Sequence, residues 1–324
     1  MMQAVVTLPA FPWLHGAAQT ARSAFVRGRL GHGILIHASA GAGSAELARW
    51  LAALVLCDEP SSAGDSRPCG TCTSCTLRIA GTHPDLQWIE REEGAKQLKV
   101  EQIRDLTQSL ALKSYRGGYK VAVIAEADAM NANAANALLK TLEEPPPATL
   151  VVLCSARPSR LPPTVVSRCQ HLQVALPSRE AALHWLGEQK ASASWPTILE
   201  HAAGEPLRAL ELEASGFTDL DREMTAALEK LRRRDLDIPG TADRWAKGGL
   251  DRRLAWLDVW LARTIREALL SAPALPSPPG GRNIRALYGL LDRVRAFRLE
   301  LDTSLNMQLA TEVVLLHAEY AVAN

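Results

Sequence analysis

The run Gly41-Ala42-Gly43-Ser44-Ala45 sits where chemistry on a phosphate would be done, and it is incomplete. A phosphate-binding loop needs glycines so that backbone N–H groups can approach the phosphates. It also needs a lysine for the β and γ oxygens and a Ser or Thr hydroxyl on magnesium. Where G-x-x-x-x-G-K-[ST] would run, the chain reads Ala38-Ser39-Ala40-Gly41-Ala42-Gly43-Ser44-Ala45, with Ser44 in the lysine position and Ala45 in the Ser/Thr position. A triphosphate loses a cation contact and a metal ligand together. Read alone, residues 38–45 are equally an ordinary Gly/Ala turn or a nucleotide loop that has lost its groups. Residues 120–128 form an apolar strand ending in acids, the placement in which nucleotide hydrolases hold Mg²⁺ with an Asp and polarise water with a Glu. Here Ala125 stands at the strand-end Asp position, and Glu126 remains with little to act upon. Two independent deletions in one site predict lost hydrolysis.

Four of the six cysteines, Cys57, Cys69, Cys72 and Cys75, fall within an insertion rich in Ser, Gly, Pro and Asp. Two C-x₂ steps read as metal ligands: thiolates spaced this way converge tetrahedrally on one Zn²⁺ at roughly 2.3 Å, and Cys57, from the end of the preceding helix, closes the shell. Four sulfurs leave no open position, so the expected zinc is structural, at about one per chain. A disulfide framework is the weaker alternative in a reducing compartment. His83 is read as a loop hydrogen-bonder and not as a ligand.

The elements that must position these groups follow from periodicity. Residues 33–36 and 149–154 read as buried strands, as do 120–128, and 172–174 as another short one. Residues 46–56, 100–110 and 131–144 read as helices, the last stopped by Pro145-Pro146-Pro147. Strands alternating with helices predict a parallel, doubly wound sheet, whose ligands sit at the carboxyl ends of the strands, where Ser44, Glu126 and Ser155 would meet. Ser178 caps a helix near residue 179, and a compact helical unit runs to about residue 213. The remainder is helical by pattern, with amphipathic stretches at 250–270, 284–301 and 305–320 and a flexible connection at 272–281. Trp245, Trp256 and Trp260 are expected in cores and contacts, not as base-stacking platforms.

At 324 residues, 47% apolar and 22% charged with a net charge of +1, the chain can build two or three cores and lies outside the disordered class. The balance argues against a whole-surface nucleic-acid clamp, and Arg232-Arg233-Arg234 and Arg252-Arg253 read as solvated helix faces. No stretch approaches 18 uninterrupted apolar residues, and the N-terminus lacks a signal-peptide pattern, so a cytoplasmic place and no membrane partner are expected.

Together, Asn136-Ala137-Leu138-Leu139-Lys140-Thr141-Leu142-Glu143-Glu144-Pro145-Pro146, the Ser167-Arg168-Cys169 triplet and the four-cysteine insertion resemble the bacterial clamp-loader AAA+ subunits. The degenerate phosphate loop is similar to that of the non-hydrolysing member of this family, not of its ATP-hydrolysing gamma/tau members. The resemblance implies an α/β AAA+ doubly wound parallel-sheet domain over 1–175 with the zinc insertion at 57–75. A small helical lid over 176–214 and an all-α oligomerisation collar over 215–324 would follow. Gly204-Glu205-Pro206-Leu207-Arg208 matches the lid, where Arg208 would be a second sensor arginine, and Leu305-Asn306-Met307-Gln308-Leu309 resembles the last collar helix. Gly41, Gly43, Ser44, Ala45, Glu126, Ser155 and Arg208 then outline an emptied nucleotide site.

By the family's pattern, Arg168 would act in trans as an arginine finger in the ATP site of an adjacent gamma/tau subunit. Outside the family context it reads as a local salt bridge or helix-end contact. The implied partners are gamma/tau and delta in a hetero-pentamer, with the sliding clamp and primer–template DNA reached through the complex. No intrinsic activity is expected, and a polymerase label would describe the holoenzyme. Two other readings are an active ATPase of the same fold, which would have to compensate for Ser44 and Ala45, and a zinc-stabilised DNA-binding or scaffold protein acting alone.

Overall fold

Side chains alternate across a strand, and in this chain both faces of the central strands are apolar. The computed structural model describes residues 11–59, 67–92, 94–95, 97–270, 284–301 and 305–323. Its five strands are β1 (Gly33–His37), β2 (Leu86–Ile89), β3 (Lys120–Ile124), β4 (Thr149–Ser155) and β5 (Gln170–Gln173). They pair in parallel in the order β2-β3-β4-β1-β5. Ile34, Ile36, Val121, Val123, Leu150 and Val152 face one core, shared with α1 (His15–Val26) and α2 (Ser44–Leu56). Leu35, Ala122, Ile124, Val151 and Leu153 face the other, shared with α4 (Val100–Ala111), α5 (Ala132–Glu143) and α6 (Pro163–Val166). Helices on both faces of a parallel sheet make the doubly wound fold that the pattern predicts.

The expected helices lie where the periodicity puts them. Asn131 caps α5 by accepting the Ala134 N–H at 2.9 Å, and Ser178 accepts the Ala181 N–H at 3.2 Å at the start of α7 (Arg179–Gln189). Two strands differ. The strand expected at 172–174 is β5, which starts at Gln170, because backbone pairing with Ile34 sets its beginning and not side-chain polarity. Strand β2 was not expected at all. It is a four-residue edge strand, half-buried throughout, and lacks the apolar run that marks an inner strand. A further helix, α3 (Thr73–Ile79), lies inside the cysteine insertion.

The chain divides into two compact units: Met1–Trp185 with Gly204–Arg208, and Leu186–Ala203 with Ala209–Asn324. The second is all-helical, built from α8 (Trp195–His201), most of α9 (Pro206–Ala214), α10 (Phe217–Arg233), α11 (Ile238–Lys247), α12 (Leu250–Leu270), α13 (Ile284–Glu300) and α14 (Met307–Ala323). Trp245 and Trp256 are buried here, their indole N–H groups donating to Glu223 at 3.1 Å and Asp221 at 2.8 Å, and Trp260 stacks on Trp256. The connection expected at 272–281 lies outside the described residues. Among the described residues no helix is long and apolar enough to cross a membrane.

Candidate functional site

The carboxyl ends of β1, β3 and β4 open onto a cavity of about 320 Å³ lined by Ser44, Arg91, Ala125, Glu126, Asp128 and Ser155, among others. The meeting of Ser44, Glu126 and Ser155 expected from the sheet is therefore present. The phosphate loop at its rim is closed on itself. Ala40–Ala42 form a 3-10 turn in which Ala42 N–H donates to Ser39 C=O at 3.2 Å, Gly43 N–H to Ala40 C=O at 2.9 Å, and Ser44 N–H to Ser39 C=O at 3.4 Å. Gly43 reaches this conformation at φ 93°, open to glycine at little cost. These N–H groups, which would cradle a phosphate, face the loop's own carbonyls.

Gly41 is needed for a different reason. A Cβ at this position would overlap the Glu205 carboxylate and lie 2.7 Å from Arg208 Cβ. The first turn of α9 thus rests on the loop, bringing Arg208 beside Gly41, and Arg208 is not among the residues lining the cavity.

Arg91, just beyond β2, holds Glu126 by a fork: Nε to Oε2 at 2.6 Å and Nη2 to Oε1 at 2.7 Å. This double hydrogen bond lowers the Glu126 carboxyl pKa, with the Arg91 charge adding to it. Each oxygen accepts from Arg91, so the Glu126 charge is paired with a guanidinium and not left free for a metal or a water. Arg157 Nε lies 3.4 Å from Asp128 Oδ2 across the same cavity. Arg91 escaped the sequence reading because β2, which places it, did.

Arg168 follows α6, a single turn begun by Pro162 and Pro163. Its Nη1 donates to Thr164 C=O at 2.8 Å, and its Nη2 lies 2.7 Å from Glu143 Oε1 at the end of α5. In the single chain it makes both a helix-end contact and a salt bridge, with 35% of the side chain still exposed.

The four sulfurs of Cys57, Cys69, Cys72 and Cys75 all lie within 4.8 Å of one another, and all are free thiols. Backbone N–H groups point at three of them: Cys69 N at Cys57 Sγ (3.5 Å), Cys72 N at Cys69 Sγ (3.3 Å), and both Cys75 N and Asp58 N at Cys72 Sγ (3.4 Å each). The N–H groups of Thr71 and Cys72 draw the Cys69 thiol down to about 6, whereas burial pushes Cys57 and Cys75 up. Four convergent sulfurs with N–H donors aimed at the thiolate form are compatible with a closed, structural zinc site.

The module is tied to the sheet unit on both sides. Asp58 accepts from Ser74 Oγ at 2.7 Å and from Arg116 Nη2 at 3.2 Å. Buried Arg67 donates to the carbonyls of Leu54, Val55, Cys57 and Glu59, covering the end of α2. His83 is a buried loop residue whose Nδ1 accepts the Asp85 N–H at 3.1 Å, and it lies outside the sulfur cluster.

Comparison with known proteins agrees with this geometry. Residues 15–178 match the family model described as "DNA polymerase III, delta subunit". A protein named "DNA polymerase III subunit delta'" from Pseudomonas aeruginosa is 36% identical over 246 residues, 75% of this chain and 74% of its own length. Its namesake from Escherichia coli K12 is 36% identical over 204 residues, 62% of this chain; the match spans 60% of that relative, under two thirds of its length. A tau subunit of Escherichia coli K12 is 36% identical over 189 residues, 58% of this chain and 27% of the relative. With the sheet, the cysteine module and these matches in agreement, the chain belongs to the delta-prime family of DNA polymerase III clamp-loader subunits.

Proposed function

We propose that the chain is the non-hydrolysing stator of the clamp loader. It turns over no ATP itself, stands in a hetero-pentamer between gamma/tau and delta, and presents Arg168 to the ATP site of an adjacent gamma/tau subunit. The observation that carries this reading is the closed phosphate loop, in which the N–H groups of Ala42, Gly43 and Ser44 are taken by Ser39 and Ala40. With Ser44 for lysine, Ala45 for a metal ligand and Glu126 held by Arg91, the site has neither a cradle nor a base.

Arg168 suits a role in trans. Guanidinium is always charged and forked, and phosphoryl transfer is catalysed mainly by charge stabilisation, so such a finger is worth on the order of 10³–10⁵ in rate. On assembly it would exchange its Glu143 contact for a neighbour's phosphate. In this reading residues 1–175 form the AAA+ domain, 176–214 the lid and 215–324 the collar. The four cysteines hold one structural Zn²⁺. The complex, in the cytoplasm, opens the sliding clamp and loads it on primer–template DNA, and any polymerase activity belongs to the holoenzyme.

The test is ATP binding and hydrolysis by the purified chain, alone and mixed with gamma/tau and delta, as wild type and as Arg168→Ala. No turnover alone, with turnover in the mixture that falls at least about tenfold in Arg168→Ala, is the expected result. Turnover by the single chain would make it a motor of the tau type. Unchanged turnover in the Arg168→Ala mixture would remove the finger.

A further inference from the structure

Arg78 lies on α3 one turn beyond Cys75 and is 4% exposed. Residues three apart on a helix share a face, with Cβ atoms about 5–6 Å apart. Cys75, itself 1% exposed, and Arg78 are therefore held against the same buried corner. The Arg78 Nε meets no hydrogen-bond partner. The neighbouring arginines differ: Arg67 is covered by backbone carbonyls, and Arg116 by Ser74 and Asp58. Burial lowers the Arg78 pKa, and the nearby Cys75, Cys57 and Cys72 act against that lowering. A guanidinium taken out of water without a counter-charge is strongly unfavourable, and neutral thiols do nothing to offset it. Four thiolates around one divalent cation, by contrast, leave a net negative charge at this corner.

We propose that Arg78 is the counter-charge of a tetrathiolate zinc centre formed by Cys57, Cys69, Cys72 and Cys75. The inference rests on the zinc reading above and assigns Arg78 a positioning role: it offsets the negative charge of the centre and slows loss of the ion. The N–H donors from Asp58, Cys69, Cys72 and Cys75 act in the same direction as dipoles, and Arg78 adds a full charge. Outer partners of this kind are commonly worth 10–100-fold in metal affinity.

The full chain, purified without chelator as wild type, Arg78→Met and Arg78→Lys, is compared by elemental analysis and by the rate of zinc release into a chromogenic chelator. Expected are about one zinc per wild-type chain, release on the order of 10–100-fold faster from Arg78→Met, and a smaller change in Arg78→Lys, which keeps the charge. Arg78→Gln is the second neutral variant, read the same way should Arg78→Met not fold. Equal release from wild type and the neutral variants overturns the role of Arg78 and leaves the zinc reading standing. Equal acceleration in Arg78→Lys and Arg78→Met also overturns it, because shape and not charge would then be at work. A wild-type chain without zinc overturns both.

Discussion

Gly41 shows how a single atom can divide two possible structures. Its absent Cβ leaves room for the Glu205 carboxylate and the stem of Arg208. Gly41→Ala is expected to cost about 1–3 kcal/mol, because an overpacked contact must push the first turn of α9 off the loop. Glu205→Ala should recover only part of that, since Arg208 Cβ remains in the way. Urea unfolding of the three chains checks this, and a Gly41→Ala chain as stable as wild type would count against the contact. This residue level was unevenly legible in the sequence. Ser44, Ala45, Ala125 and the cysteines could be read because their meaning is local: a motif position is filled or empty, and a C-x₂-C step converges wherever it folds. Arg91, Glu143 and Glu205 could not, because each draws its meaning from a partner far along the chain. Glu126 was expected to stand idle, and it is in fact held by Arg91.

At the scale of elements, α2 supplies more of one core than any other element, and its C-terminal carbonyls would be orphaned without Arg67. A cation at a helix C-terminus also meets the negative end of the helix dipole. Arg67→Met keeps an apolar stem but removes every donor, together with the guanidinium whose Cζ lies 5.0 Å from the Phe25 ring centroid. The expected loss is roughly 2–4 kcal/mol, the size typical of breaking a buried hydrogen-bonded network. Thermal unfolding of the zinc-loaded chain measures it, and a change below about 0.5 kcal/mol, the range of ordinary surface substitutions, would show that water caps the helix equally well. The inner strands β1, β3 and β4 were legible because both of their faces are covered, which demands unbroken apolar runs. The edge strands β2 and β5 face water in part, so their composition resembles loop. Helix α3 was hidden for another reason: its N-cap is Cys72, whose sulfur accepts the Cys75 N–H, so a residue read as a ligand also starts a helix.

Over the whole molecule, 36 basic and 35 acidic side chains nearly cancel, so no single-sign field steers partners and recognition must be local. The helical unit carries its own pH lever. Burial beside Phe217 and Trp256, with Arg263 adding to it, lowers the His201 imidazole to about 4. Its ordinary value is about 6.5, so between these values the unfolded chain binds the proton and the folded chain does not. The stabilisation is complete above pH 6.5 and is lost as pH falls toward 4, an effect of roughly 3 kcal/mol. Denaturation midpoints at pH 7 and 4.5 should differ far less in His201→Phe than in wild type; parallel pH dependence in the two chains would assign the acid sensitivity elsewhere.

The closed phosphate loop bears also on ancestry. Writing glycine, lysine and threonine at positions 38, 44 and 45 would restore the letters of a phosphate-binding loop, yet the amides of residues 42, 43 and 44 would still point at Ser39 and Ala40, and the first turn of α9 would still lean on Gly41. Under the stator reading, loss of the motor is written in main chain as well as side chain. It therefore works as a ratchet: no single codon change leads back, and a lineage that has passed this point keeps its passive subunit.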